Sequence, residues 1–172
     1  IVTREPGGTP VGESIRKNLL DNKSNLEPFS ESLLFYASRI INYHSVILEA
    51  LNNNQTVICD RFHYSTLVYQ GLFNSDQNVV NLHKVLDPYF SKRISIIFHL
   101  DADIDTCLSR INKRKSSDKF ESKGKDFLIK IQNGYDSVFK DNKKVIKVQT
   151  NQDTSIVNSL ITKHLDELIN AK

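Results

Sequence analysis

Apolar positions along the chain fall into short β-branched runs separated by segments with a four-residue beat, an alternation that predicts a parallel sheet flanked by helices. Ile1 to Thr3 reads as the end of a strand. Thr9-Pro10 supplies a capping hydroxyl and a proline at the first helical position, and Val11, Ile15 and Leu19 follow one turn apart. Ser30 opens a longer helix to about Leu51, and Asn52-Asn-Asn54 ends it. Gln55 to Cys59 forms the next strand and Phe62 to Gln70 a helix; the turn Asn74-Ser-Asp76 then leads into a helix near Val79 to Leu86. Arg93 to Leu100 is a continuous apolar strand, the pattern of one covered on both faces. Helices are predicted from Asp105 to about Lys115 and from Lys125 to Lys140, around a charged link. Val145 to Thr150 is the last strand, and Ile156, Leu160, Ile161, Leu165 and Leu168 mark a closing amphipathic helix.

With 172 residues, 39% of them hydrophobic, the chain suffices for one domain with its own core, residues 1–172. A net charge of +3 is too small to suggest a nucleic-acid binder. Cys59 and Cys107 form no CxxC or zinc-like spacing, which points to a reducing cytoplasm. No apolar run reaches membrane-spanning length.

Three segments carry candidate chemistry. In Thr56 to Gln70 a β-branched run ends in Asp60-Arg61, followed by an aromatic and polar helix. Ligands of open α/β sheets bind outside the carboxyl ends of the strands, where an acid can serve a metal and an arginine a phosphate. In Thr3 to Thr9 two glycines let backbone approach a ligand, with Arg4, Glu5 and Arg16 nearby; many βα loops share that composition. From Arg110 to Lys125 seven Lys/Arg face two acids, a pattern of either a basic flap closing over phosphates or a solvated charged surface.

The long helix has a broad apolar side (Leu33, Leu34, Ala37, Ile40, Ile41, Ile47, Leu48, Leu51), with Phe35 and Arg39 one turn apart elsewhere on its surface. Such a pair either stacks and hydrogen-bonds a flat ring, or divides into a packed aromatic and a solvated cation. The five histidines show no metal-ligand spacing, and no nucleophile–base arrangement is evident. A phosphate acceptor would not need one, because its oxygen is already largely anionic at pH 7.

Together, TREPGGT (Thr3 to Thr9), LLFYASR (Leu33 to Arg39), DRFHYSTLVYQG (Asp60 to Gly71) and DKFE (Asp118 to Glu121) resemble bacterial thymidylate kinase, in order and through essentially the whole chain. The resemblance implies a P-loop NTPase-type α/β fold with helices on both faces of the sheet, a flap at about 110–125, and ATP- and Mg2+-dependent phosphorylation of thymidine monophosphate (dTMP) to the diphosphate. By motif position, Phe35 stacks on thymine, Arg39 hydrogen-bonds its carbonyl edge, and Thr66 and Gln70 contact the base. Tyr69 lies by the deoxyribose. Arg61 and Arg16 hold the acceptor phosphate, with Glu5 near it, and Asp60 positions Mg2+ through water. A cytoplasmic homodimer is also implied; the apolar side of the long helix is a candidate interface, although burial against its own sheet would give the same pattern.

Three departures from the family pattern stand out. No GxxxxGK[ST] loop occurs, so roughly thirty upstream residues are expected to carry it, and these residues alone are expected not to turn over. Lys119 stands where relatives with a catalytic flap arginine have Arg, leaving Arg110 or Arg114 as further candidates for the transition state and the ATP phosphates. The glycine-rich run after Tyr69-Gln70 is reduced to Gly71-Leu-Phe-Asn74. Two rivals remain open: a deoxynucleoside kinase of the same fold, with Glu5 drafted as base, and a nucleotide-binding module without turnover.

Overall fold

The computed structural model describes residues 1–114 and 119–170. The order of elements is β1 (Val2–Arg4), α1 (Pro10–Leu20), α2 (Pro28–Asn42), a π-helical turn (Tyr43–Leu48), α3 (Glu49–Asn52), β2 (Ile58–Asp60), α4 (His63–Thr66), a second π-helical turn (Leu67–Leu72), α5 (Gln77–Ser91), β3 (Ile97–Asp101), α6 (Ile104–Asn112), a 3-10 turn (Glu121–Lys123), α7 (Lys125–Phe139), β4 (Val145–Gln149) and α8 (Thr154–Asn170). The alternation read from the sequence is present throughout. Among the described residues the strands form two parallel pairs instead of one continuous sheet. Val2, Thr3 and Arg4 lie opposite Ile58, Cys59 and Asp60, and Ile97 to Asp101 run beside Val145 to Gln149. Helix α8 lies against β4, but Val2, Ile58 and Leu100 remain exposed, so the strands are less covered than their apolar composition suggested.

Local chemistry sets the element ends. Thr9 caps α1, its hydroxyl accepting from Gly12 N at 3.0 Å ahead of Pro10. Helix α2 starts two residues before the expected Ser30, because Glu27 accepts from the backbone of Phe29 and Ser30 and Pro28 fits the first helical position. Asp76 caps α5 in the same way, accepting from Asn78 and Val79.

Two apolar clusters meet on α2. Phe35 packs with Leu19, Val68, Phe120, Phe127 and Ile131, whereas its neighbour Tyr36 packs with Tyr43, Ile47 and Phe90. The helix therefore buries a face different from the one its apolar residues mark. Leu33 is 46% exposed and Ile40 36%, and Ala37 is exposed as well, while Glu31, Ser38, Arg39 and Asn42 are buried. Burying polar groups costs free energy unless they are paired, and the pairing on this face forms the site described next.

Candidate active site

The loop after β1 is fixed by a polar network reaching to α2. Thr3 Oγ1 donates to Asn42 Oδ1 at 3.0 Å, Asn42 Nδ2 donates to Glu5 Oε1 at 2.8 Å, and Gly7 N donates to Ser38 Oγ at 3.1 Å. Gly8 has φ +78°, and a Cβ there would lie 2.3 Å from Asn42 Oδ1, so only glycine fits the turn. Arg16 Nη1 reaches back to Pro6 O at 2.9 Å, and Arg4 pairs with Glu13 at 2.9 Å near the surface. Glu5 N donates to Asp60 O at 2.9 Å, which ties this loop to the end of β2.

Along α2, Glu31, Phe35 and Arg39 recur one turn apart on a single face. Thr66 and Gln70, also one turn apart, face them. Arg39 Nη1 donates to Thr66 Oγ1 at 3.0 Å, and Gln70 Nε2 donates to Glu31 Oε2 at 2.8 Å. The pairs run in opposite senses, 31 with 70 and 39 with 66, so the two helical segments are antiparallel here. Phe35 occupies the rung between a guanidinium and a carboxamide. Arg39 is also held by Glu5, whose Oε2 lies 3.1 Å from its Nε, and its charge sits 5.2 Å above the ring of Tyr36. Burial raises the pKa of Glu5, against the opposing pull of Arg39 and Asn42.

Asp60 ends β2 and is exposed; Arg61 follows with φ 61°, a left-handed conformation that costs a non-glycine residue free energy and clusters at functional sites. The Arg61 guanidinium lies 5.2 Å from the centre of the Tyr69 ring. Tyr135 stands beside it, its hydroxyl 2.7 Å from Ser65 Oγ. Arg61 is exposed to solvent, with Tyr69 and Tyr135 beside it. Desolvation works against its charge, but Tyr69, Tyr135 and Asp60 more than offset this, and its pKa is raised.

Lys119 and Phe120 fold over these groups. Lys119 pairs with Glu31, and the ring of Phe120 lies 6.4 Å from Phe35 and 5.6 Å from Tyr69. The space above Phe35 is thus occupied by the ring of Phe120. Two surface hollows, one along α8 and one bordered by Ile15, Asn18 and Leu34, include none of the site residues. Arg114 pairs with Glu121, and Arg110 donates to Thr150 through its hydroxyl at 3.2 Å and its carbonyl. Lys115 of the basic run and Asp118 of the DKFE stretch lie outside the described residues.

Phe35, Arg39, Thr66, Gln70 and Glu5 therefore come together as one connected group, with Tyr69, Arg61 and Asp60 adjoining and Arg16 on the loop beneath. Arg110 stands with Thr150 beyond β4. Tyr69 and Gln70 lie within the π-helical turn Leu67–Leu72, a form often found at functional sites, and of the segment Gly71-Leu-Phe-Asn74 only Gly71 and Leu72 belong to it. Glu31, Asn42 and Tyr135 escaped the sequence reading. The signal for Glu31 was present, since it stands one turn before Phe35; Asn42 and Tyr135 are recruited from distant segments without a periodic cue.

A family model described as Thymidylate kinase matches residues 1–161. A thymidylate kinase of Caldicellulosiruptor saccharolyticus is 32% identical over 171 residues, covering 98% of this chain and 82% of the relative. One of Chlorobium limicola is 35% identical over 177 residues, covering 97% and 81%. The crystal structure of thymidylate kinase from Ehrlichia chaffeensis superimposes with a TM-score of 0.73 at 26% identity, covering 96% of this chain and 80% of that one. A match of this extent, in sequence and in fold, means that the chain belongs to the thymidylate kinase family.

Proposed function

We infer that this protein is a nucleoside monophosphate kinase that transfers the γ-phosphate of ATP to dTMP, giving dTDP and ADP. The observation that carries the reading of its acceptor site is the rung at Phe35: an aromatic face between Arg39 and Gln70, with Arg61 beyond Tyr69. In that reading the thymine lies on Phe35 after Phe120 withdraws, with its edge toward Arg39, Thr66 and Gln70. Tyr69 borders the deoxyribose. Arg61 and Arg16 hold the acceptor phosphate, and Glu5 keeps Arg39 in place beside it.

The chemistry asks little of the protein beyond alignment and charge. An oxygen of the acceptor phosphate, already anionic at pH 7, attacks the γ-phosphorus as the bridging oxygen leaves with ADP. No general base is needed. Mg2+ would be served by the exposed Asp60, which meets no ion-pair or hydrogen-bond partner for its side chain among the described residues, through a water of the ion's shell. When bound, the ion neutralises charge on the phosphate oxygens. Lys119, Arg110 and Arg114 are the flap cations available to the ATP phosphates and to the charge that develops during transfer.

The deoxynucleoside kinase reading is not favoured: its base would be Glu5, which is already committed to Arg39 and Asn42. A homodimer joined through the exposed Leu33, Ala37 and Ile40 stripe completes the proposal, with residues 1–172 as one domain and residues 110–125 as its flap. Both cysteines are free, in keeping with a reducing cytoplasm, and among the described residues no helix is long and apolar enough to cross a membrane. A kinase assay on a form that carries the P-loop, offering dTMP and thymidine side by side, tests the reaction. Phosphorylation of dTMP alone is expected, and phosphorylation of thymidine alone would overturn it.

A further inference from the structure

Resting on the reading of Phe35 as the base platform, we propose that Glu31 is a positioning residue that orients the Gln70 amide and so makes the site select pyrimidines carrying N–H at ring position three. A glutamine amide offers a donor on one side and an acceptor on the other, and its neighbours decide which way it faces. Here the neighbour leaves no choice. Glu31 is buried, one of its carboxylate oxygens is taken by Lys119, and the other faces Gln70. An ionised carboxylate only accepts, whether or not Lys119 stays on it when Phe120 withdraws, so the Gln70 NH2 group turns toward it, at 2.8 Å. The opposite orientation would set a carbonyl oxygen against a carboxylate oxygen at the same distance.

This fixes what the site can read. With Nε2 committed to Glu31, Gln70 presents Oε1, an acceptor to which no described residue is seen to donate. One rung along, Arg39 presents N–H donors beyond the one given to Thr66. A donor set and an acceptor separated by the Phe35 rung match thymine or uracil, whose ring N–H adjoins a carbonyl. Cytosine reverses both groups, placing an amine toward the arginine and a lone pair toward the amide oxygen. Each mismatch leaves a buried polar group without its partner, which is the strongest basis for rejecting a close analogue. Glu31 touches no substrate in this account; it acts through Gln70.

The test is equilibrium binding of dTMP and of deoxycytidine monophosphate (dCMP), by calorimetry, to the wild type and to Glu31→Gln. The variant keeps size and shape but can donate or accept, so Gln70 is released to turn either way. Discrimination, the ratio of the dCMP and dTMP dissociation constants, is expected to fall by about tenfold, the scale of one misoriented buried polar group. Gln70→Leu is expected to lower the ratio too, and adding Glu31→Gln to it is expected to change nothing further. If Glu31→Gln does not fold, Glu31→Asp, which withdraws the acceptor by one methylene, carries the same expectation. Discrimination unchanged in the Glu31 variants but lost in Gln70→Leu would overturn the proposal while leaving the acceptor assignment intact. A wild type that binds the two nucleotides equally would instead contradict the functional reading itself, and this proposal with it.

Discussion

Arg39 Nε lies 3.1 Å from Glu5 Oε2, and the two side chains are 1% and 0% exposed. Among the described residues neither atom has a hydrogen-bond partner, so the two charges are close without being aligned for a full bond. A buried pair of this kind is costly to break from one side, because the remaining charge stays in a dry site. Arg39→Met is therefore expected to destabilise the protein by about 3–5 kcal/mol, read from denaturant unfolding. Adding Glu5→Gln should recover part of the loss; no recovery would show that Arg39 matters through packing alone.

Phe35 has two duties, and the choice of variant separates them. Its ring packs with Leu19, Val68 and Phe120, so truncation to alanine would cost stability as well as any stacking. Phe35→Leu keeps an apolar side chain of moderate size and removes the aromatic face. dTMP binding is expected to weaken by about 1–3 kcal/mol, the worth of one stacked base, with a smaller change in melting temperature. Equal dTMP affinity in the variant would make Phe35 a packing residue only.

The exposed stripe on α2 gives a separate expectation. Leu33→Glu with Ile40→Glu places like charges where two apolar faces would meet, and sedimentation should show monomers where the unaltered protein forms dimers. Because both positions are open to solvent within one chain, the fold of each protomer should survive. A wild type that sediments as a monomer would remove the proposed interface.

His63 and His83 predict how stability responds to acid. Burial lowers the pKa of His63 to about 3 and that of His83 to about 4, with Arg39 also disfavouring charge on both and the nearby Asp87 favouring it. Their rings stack 5.3 Å apart, His63 Nε2 lies 2.8 Å from Asp87 Oδ1, and Tyr36 OH lies 3.1 Å from His83 Nδ1. Below pH 6.5 the unfolded chain takes up protons that the native protein refuses. Stability should therefore fall as the pH drops from about 6.5 toward 4, at up to about 2.7 kcal/mol per pH unit for two protons. Unfolding midpoints that stay flat across that range would contradict the assignment of two buried neutral imidazoles.

Much of the fold was legible because strong local signals set it. Thr9-Pro10 and the β-branched strand runs fall where the elements begin and pair. The polar face of α2 was not legible as an interior. The apolar side with Leu33 and Ile40 fitted an interface and an interior equally, and nothing marked the opposite side as buried; Arg39 finds Glu5 and Thr66, and Glu31 finds Gln70, from segments far away in sequence. Pairing across such distances outweighs amphipathic pattern and has no periodicity of its own. The motif residues Phe35, Arg39, Thr66 and Gln70 could be named beforehand, whereas the carboxylate that orients the last of them could be found only from its contacts.

The most direct test of the account is a titration of dTMP into the wild type and into Arg61→Ala, followed by a structure of the wild-type complex. The base is expected to lie on Phe35 in place of Phe120, with its phosphate at Arg61, and the variant is expected to lose most of the affinity. Nucleotide bound away from Phe35, or with equal strength in both proteins, would contradict it.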